Sequence, residues 1–256
     1  MTANVQRILV PASENEVEEI RLGLAYLLNY VKENQATVTK VMLFIPGLGN
    51  LEHTTLAEAL GAQITKALQK DKRLKLSQST SLELVTERTI SRGARPDAVL
   101  AVYADMRMMD TVDSLKTTKL VVAAASLPDE LNDWVRTWNA SVHGNQTKTE
   151  SPILSNPIVE EALKSLTSSV NLSNRTMNPR DESAADTMFR ILRQNRQTED
   201  PPAIRSWAIR NGWDPKGADK LEKLAQKILF MASRPALKER NWAEDIYQQW
   251  VAKSRR

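Results

Sequence analysis

Residues Val5 to Ile45 read VQRILVPASENEVEEIRLGLAYLLNYVKENQATVTKVMLFI, and this stretch predicts the fold class of the first half of the chain. Its two ends, Val5 to Val10 and Val38 to Ile45, are short apolar runs typical of buried strands. Between them, the residues from about Glu14 to Val31 carry apolar side chains at a 3.6-residue spacing, which predicts a helix with Ser13 as its N-cap. Strand, helix and strand in this order favour parallel pairing through a right-handed crossover.

The same alternation continues toward residue 140. A second helix is predicted from about Leu56 to Lys70, and later helices from Met106 to Leu115 and after Pro128. Three further strands are predicted, at Leu82 to Ile90, Ala98 to Tyr103 and Leu120 to Ala125. Because the last two runs are almost wholly apolar, they indicate strands that helices cover on both faces. We therefore predict a doubly wound, Rossmann-like α/β domain over residues 1–140, with a mostly parallel sheet of about five strands.

The pattern changes class after residue 140. Residues 141–156 lose their periodicity and gain small polar side chains, so we interpret them as a linker. No strand signal follows Ala125, and residues 157–256 read as an all-α region. Three pairs place an N-cap residue directly before a first-turn proline, and each predicts a helix start: Asn156-Pro157, Asp200-Pro201 and Asp214-Pro215.

Composition narrows the chemistry that the chain can support. There is no cysteine and there are only two histidines among 256 residues, which excludes thiolate catalysis and argues against a metal site. No window approaches the ~20 apolar residues of a membrane span, and no basic-then-apolar leader opens the sequence. We expect a cytosolic protein that does not contact a membrane.

The net charge of +4 is unevenly distributed. Residues 201–256 contain twelve Lys or Arg and six Asp or Glu, so that the rest of the chain is slightly acidic. A basic module on a near-neutral body is the pattern expected of a nucleic-acid contact, although a solvated helical surface also accounts for it.

Five residues are candidates for a ligand site at one edge of the predicted sheet. Ligands of parallel α/β sheets bind beyond the carboxyl ends of the strands. The residues that follow predicted strands there are Ser13, Gly47, Gly49, Asp105 and Ser126. The two glycines either place backbone amides against a phosphate or form a plain turn, since the third glycine of a dinucleotide fingerprint is missing. Asp105 is either a functional carboxylate or the N-cap of the helix that follows.

Four of the six tryptophans lie within the last 56 residues. Burial in a small helical core explains Trp207, Trp242 and Trp250, which recur at helical spacing. Trp213 falls between two predicted helices beside Gly212, and we interpret it as a partly exposed anchor for a base, a sugar or a peptide.

The run Ile204 to Gly212, IRSWAIRNG, resembles the first helix and turn of the DNA-binding domain of the actinobacterial nucleoid-bridging silencer proteins. That family reads AT-rich minor grooves with an Arg-Gly-Arg clip in the loop after its Asn-Gly. This chain has Lys216-Gly217-Ala218 at the corresponding place, so one cation and the glycine match and the second arginine does not. The stretch from about Asn171 onward is also similar to uncharacterised bacterial proteins, and this similarity implies no function.

The resemblance implies a set of DNA-contacting residues. Lys216 and Gly217 would approach a narrow minor groove, whose negative potential attracts an inserted cation. The cations that would contact flanking phosphates are Arg205, Arg210, Lys220 and Lys223.

Three functions are compatible with these patterns. The first is a bacterial two-domain protein that binds DNA through its basic helical region. The alternative is a sensor or enzyme for a nucleotide-like ligand at the strand-end edge, with the helical region docking a protein partner. A scaffold with a helical interaction surface is a third. Neither catalytic residues nor a cofactor can be assigned from the sequence.

Overall fold

The chain folds as two compact units, residues 1–149 and 150–256. The computed structural model describes residues 5–47, 49, 51–91, 93–115, 117–145, 152–170, 172, 177–233, 236 and 241–255. Within these ranges no helix is both long enough and apolar enough to cross a membrane.

A seven-stranded sheet, counted over the described residues, forms the centre of the first unit. Its strands are β1 (Gln6–Val10), β2 (Lys40–Ile45), β3 (Arg73–Lys75), β4 (Ser81–Thr86), β5 (Ala98–Ala104), β6 (Leu120–Ala125) and β7 (Ser141–Val142). Their order is β3-β4-β2-β5-β6-β1-β7, and every pairing is parallel except that of β3 with β4. The predicted mostly parallel sheet is confirmed, but with seven strands rather than about five.

Helices cover both faces of this sheet, which confirms the doubly wound class. The helices are α1 (Glu16–Glu33), α2 (Thr55–Leu60), α3 (Ala62–Asp71), α4 (Met106–Asp113) and α5 (Asn132–Trp138). The first three pack on one face in a core that contains Ile20, Leu56 and Leu68. On the opposite face, α4 and α5 pack in a second core that contains Met108 and Trp134. The central strands are apolar on both sides because each side supplies one of these cores.

Several local predictions for this unit are corrected. Asn15 rather than Ser13 caps α1, since its side chain accepts from the Glu18 N–H at 3.2 Å. The helix predicted from Leu56 to Lys70 is broken at Gly61, whose φ of +81° ends α2 and starts α3. A strand does follow Ala125: β7 lies within residues 141–156, which we predicted as a linker. Residues 146–151 of that predicted linker lie outside the described residues.

The described part of the second unit is helical. Its helices are α6 (Pro157–Ser169), α7 (Pro179–Gln194), α8 (Pro201–Arg210), α9 (Pro215–Leu229) and α10 (Ile246–Ser254). Their fully buried side chains include Leu163, Phe189, Leu221 and Trp250. The last described helix, α10, begins at Ile246.

Proline pairs mark the helix starts of this unit. All three predicted pairs are confirmed, because Asn156, Asp200 and Asp214 are N-caps and each following proline occupies the first turn. A fourth pair, Asn178-Pro179, starts α7 and was not predicted as a helix start. Proline suits this position because the first helical N–H has no partner within the helix.

Candidate functional site

The sheet brings most of the predicted ligand-edge residues to one edge. Gly47, Asp105, Ser126 and Ser13 follow β2, β5, β6 and β1, which are four adjacent strands in the sheet. Because these strands are parallel, their carboxyl ends lie side by side, about 4.8 Å apart. The four residues therefore line a continuous edge, and Gly49 lies in the loop beyond β2.

Two places along this edge are topological switch points. After β2 the chain passes to α2 on one face, whereas after the adjacent β5 it passes to α4 on the other face. The neighbours β6 and β1 likewise lead to α5 and α1 on opposite faces. Connections that diverge in this way leave a crevice at the strand ends, where ligands of open α/β sheets bind.

The polar groups of the edge already have protein partners. The Asp105 carboxylate accepts from the Met108 N–H at 2.7 Å, which confirms the N-cap interpretation for α4. The Ser13 N–H donates to the carboxylate of Glu19, which is buried, and the Ser126 N–H donates to the carbonyl of Ala104 at 3.1 Å. These bonds hold the loops in place and leave their outer surfaces for contact with a ligand.

The glycines of the loop after β2 are exposed. A side chain at Gly47 or Gly49 would meet no atom within 4 Å, and Gly49 has a φ of +29°. This is compatible with backbone amides that approach a bound phosphate as well as with a plain turn. Leu48, which lies between them, is outside the described residues.

A hydrogen-bonded group at the same edge, formed by Glu16, Thr55 and Tyr103, was not predicted from the sequence. Tyr103 has a φ of +57° at a bulge near the end of β5, which turns its side chain toward the face of α2. The Thr55 hydroxyl donates to Glu16 at 2.5 Å, so the Tyr103 hydroxyl donates to Thr55, 2.8 Å away, and accepts from the Leu56 N–H at 2.9 Å. The group ties the starts of α1 and α2 to the end of the central strand β5. Its sequence signal, a tyrosine at the end of an apolar run, is too common to single out.

Near the start of β1 and the end of α4, a buried ion pair joins β1, α4 and α5. One oxygen of Asp113 accepts from the indole N–H groups of Trp134 at 3.1 Å and Trp138 at 2.7 Å, while the other lies 3.5 Å from Arg7 Nε. The Arg7 guanidinium also stacks 3.7 Å from the centroid of the Trp138 ring. Burial raises the pKa of Asp113 to about 6, and Arg7 and the two indoles act in the opposite direction. This arrangement is a structural joint between three elements.

In the helical unit, the predicted DNA-contacting residues differ in their exposure to solvent. Arg205 is 13% exposed in its side chain, and its Nε donates to Asp219 at 2.7 Å and lies 3.8 Å from Glu222. Arg205 is thus part of the contact between α8 and α9 rather than of an exposed face. Arg210 is exposed at the last residue of α8.

Trp213 is not the partly exposed anchor that we predicted. It is 6% exposed, and its indole N–H donates to the Thr167 hydroxyl at 2.9 Å. The residue joins the turn between α8 and α9 to α6, 46 residues earlier in the chain. Its position between two helices in sequence gave no sign of this distant partner.

Lys216, Gly217 and Ala218 lie in the first turn of α9, not in a loop. The Lys216 N–H donates to the capping carboxylate of Asp214 at 3.0 Å, while Gly217 and Ala218 are buried. This placement differs from the loop clip that the resemblance implies, because the backbone of a buried first turn cannot enter a groove.

Four lysines nevertheless share one face of α9. They are Lys216, Lys220, Lys223 and Lys227, and we call them the lysine face. Their spacing of four, three and four residues places them on one side of a helix, opposite the buried Ala218, Leu221 and Ala225. Lys220 is half-exposed and lies 3.4 Å from Glu182, and the other three are exposed. We missed Lys227 in the sequence, although its place four residues after Lys223 would have revealed it.

The charges of α9 are segregated. Its two acidic residues, Asp219 and Glu222, lie toward α8, where they face the Arg205 guanidinium. Neutralisation by Arg205 reduces their effect on the potential of the lysine face. That face therefore presents a row of cations about 16 Å long, given the rise of 1.5 Å per residue.

The described residues hold no group of three or more His, Asp or Glu that could bind a metal ion. The architecture is thus an α/β unit with two topological switch points and a helical unit with a basic helix face. Residues 155–251, most of the helical unit, match the model of a protein family described as Domain of unknown function (DUF1889). No curated protein and no solved structure matches the chain.

Proposed function

We propose that the chain binds DNA through the lysine face of α9. The observation that supports this proposal is the alignment of Lys216, Lys220, Lys223 and Lys227 opposite the buried side of the helix. The acidic residues of α9 lie on the flank of the helix, where they pair with Arg205. The lysine face as a whole is therefore cationic. A row of ammonium groups is the arrangement that a phosphate backbone attracts.

Binding of this kind is independent of base sequence. Lysine contributes a point charge on a flexible stem, and contacts with phosphates position a protein without reading bases. Because Gly217 and Ala218 are buried, we assign no minor-groove clip to this chain. DNA binding is therefore expected to depend on salt rather than on AT content.

The test is a fluorescence anisotropy titration of the full chain with labelled DNA at several salt concentrations. Four phosphate contacts predict a slope of log K against log salt of about −3.6 for duplex DNA and about −2.8 for a single strand, which is a loss of about 50- to 150-fold between 50 and 200 mM salt. Replacement of all four lysines by glutamine is expected to abolish this dependence. The control is Lys164→Gln, which removes an exposed lysine of α6 that is paired with Glu160 and Glu161.

The proposal fails if the full chain binds no DNA at 20 mM salt. It also fails if the fourfold variant weakens binding no more than Lys164→Gln does, because the lysine face would then contribute no more than one exposed lysine elsewhere. Circular dichroism of each variant shows whether the helices are retained.

A second candidate function is binding of a nucleotide-like ligand in the first unit. It is favoured by the switch point between β2 and β5, since the exposed Gly47 follows one of these adjacent strands and α4 follows the other. A panel of nucleotides and sugar phosphates at 1 mM is expected to raise the melting temperature if one of them binds. Binding at a hundredfold excess over Kd stabilises by about 2.7 kcal/mol. A panel without any shift would argue against this function, and Gly47→Val is expected to reduce any shift that is found.

A further inference from the structure

An exposed aromatic residue continues the lysine face at its C-terminal end. Phe230 is the C-cap of α9, and it follows Lys227 by three residues and Lys223 by seven. This spacing places it on the same side of the helix as the lysines. Its side chain is 54% exposed, which is unusual for a phenylalanine.

The backbone around Phe230 is held in place. Its N–H donates to the carbonyl of Ile228, and the next carbonyl, of Met231, accepts from the guanidinium of Arg193 at 2.8 Å. The ring is therefore presented from a fixed helix end rather than from a free loop. An aromatic ring that the core does not bury and that the backbone fixes is suited to contact with a partner.

We infer that the lysine face and Phe230 together bind single-stranded nucleic acid, with the phosphates along the lysines and one base stacked on Phe230. This inference rests on the proposed function and names the form of nucleic acid that the same face takes. In a duplex the flat faces of the bases are stacked on one another, whereas a single strand can turn a base onto an aromatic side chain. A row of lysines alone would not distinguish a single strand from a duplex, whereas stacking on Phe230 requires a base that a single strand can supply.

The other described aromatic residues of this unit are less exposed than Phe230: Phe189 is fully buried, and the half-buried Tyr247 accepts from the Gln197 amide at 3.0 Å. Trp207, Trp213 and Trp250 are buried, and the indole N–H of Trp242 donates to the carbonyl of Ala184 at 3.0 Å.

The length of the lysine face also fits a short single strand. About 16 Å of helix spans about five phosphates at the 3.4 Å axial spacing of a stacked strand.

The experiment compares four probes on the full chain: a 15-nucleotide oligothymidylate, an abasic deoxyribose phosphate strand of the same length, a 15-nucleotide oligouridylate and a 15-base-pair duplex. The oligothymidylate and oligouridylate are expected to bind about tenfold more tightly than the abasic strand, which has the same charge and no base to stack. Their relative affinities tell DNA from RNA.

The variants separate the stacked base from the phosphates. Phe230→Leu is expected to lower oligothymidylate affinity to that of the abasic strand, and Phe230→Trp to retain it, since leucine keeps the apolar volume without the ring. The double variant Lys223→Gln, Lys227→Gln is expected to lower the affinities for the oligothymidylate and for the abasic strand by the same factor. Leu127→Ala, which removes another exposed apolar side chain, is the control.

The possible failures are distinct. If Phe230→Leu binds oligothymidylate as tightly as the unmodified chain, or if the duplex binds more tightly than the single strand, this inference is wrong and DNA binding by the lysine face stands. If no probe binds at 20 mM salt, the proposed function fails as well. If polyglutamate binds as tightly as oligothymidylate, the partner is an acidic chain and not a nucleic acid.

Discussion

Replacement of Asp113 by alanine is expected to destabilise the α/β unit by about 3–5 kcal/mol at pH 7, because it breaks a buried ion pair by removing one partner. The Arg7 guanidinium would lose the carboxylate that lies 3.5 Å from its Nε. The indole N–H groups of Trp134 and Trp138 would lose their common acceptor. The three side chains come from β1 and α5, so the damage is expected to reach both the sheet and the helix that covers it.

The pH dependence of stability tests the same joint by another route. The pKa of Asp113 is raised to about 6 in the folded state, chiefly by burial, whereas an unfolded aspartate titrates near its ordinary value of 3.8. Between these two values the folded state binds more protons than the unfolded state, so this group's contribution to stability falls as pH rises from about 4 to about 6. The contribution at pH 4.5 is expected to exceed that at pH 7 by about 2 kcal/mol.

Asp113→Asn isolates this contribution, because asparagine keeps an acceptor for the indoles and does not titrate. The stability difference between the unmodified chain and this variant is expected to be larger at pH 4.5 than at pH 7. Native-state hydrogen exchange of β1, β5 and β6 measures the unfolding free energy of this unit within the full chain. A difference that does not change with pH would show that Asp113 titrates in its ordinary range.

The control for the alanine variant is Asp133→Ala. Asp133 forms an exposed pair with Arg136 on α5, with a side chain 57% accessible to solvent, and such pairs contribute less than about 1 kcal/mol. If Asp113→Ala costs no more than Asp133→Ala, the buried pair does not stabilise the unit.

The fold class was predictable because its signals are local. A buried parallel strand is a continuous apolar run, and β2, β5 and β6 each contain one. The proline pairs at Asn156, Asp200 and Asp214 were equally reliable, since N-cap and first-turn preferences depend only on neighbouring residues.

The two missed strands lie at the edges of the sheet and are very short. β3 has three residues and β7 has two, so neither is long enough to show a period. Both are strands because a neighbouring strand offers hydrogen-bonding groups, which is a tertiary effect. The same limit applies to Ser13 and Asn15, which are both good N-cap residues only two positions apart.

In the candidate site as well, features set by local sequence were predictable and features set by distant partners were not. Alignment of Lys216, Lys220 and Lys223 follows from helical spacing once Asp214-Pro215 sets the start of α9. In contrast, the burial of Trp213 and the pairing of Arg205 depend on partners in other helices. An aromatic or cationic residue in a short helical module has about the same local sequence whether it faces the core, another helix or solvent.

Replacement of Trp250 by alanine is expected to destabilise the helical unit by about 3–5 kcal/mol, the usual cost of removing a buried tryptophan. Trp250 is fully buried, its indole N–H donates to the Ser165 hydroxyl of α6 at 3.0 Å, and its ring lies edge-on to Trp242 at 5.8 Å. The nine-residue α10 is too short to persist alone in water, so its structure depends on this contact.

The family match ends at residue 251, directly after Trp250, and begins at Ser155, whose hydroxyl donates to the buried Glu199 at 3.1 Å.

Hydrogen exchange of the full chain distinguishes a local effect from a global one. Because Trp250 contacts α6, Trp250→Ala is expected to speed exchange of the slowest amides in α6 as well as those of α10, and Trp250→Phe to do so less. Gln249→Ala, an exposed change on the same helix, is expected to leave both unchanged. If Trp250→Ala exposes α10 alone and α6 keeps its protection, α10 is an appendage rather than part of the cooperative unit. In that case the lysine face of α9 would be held by α7 and α8 without it.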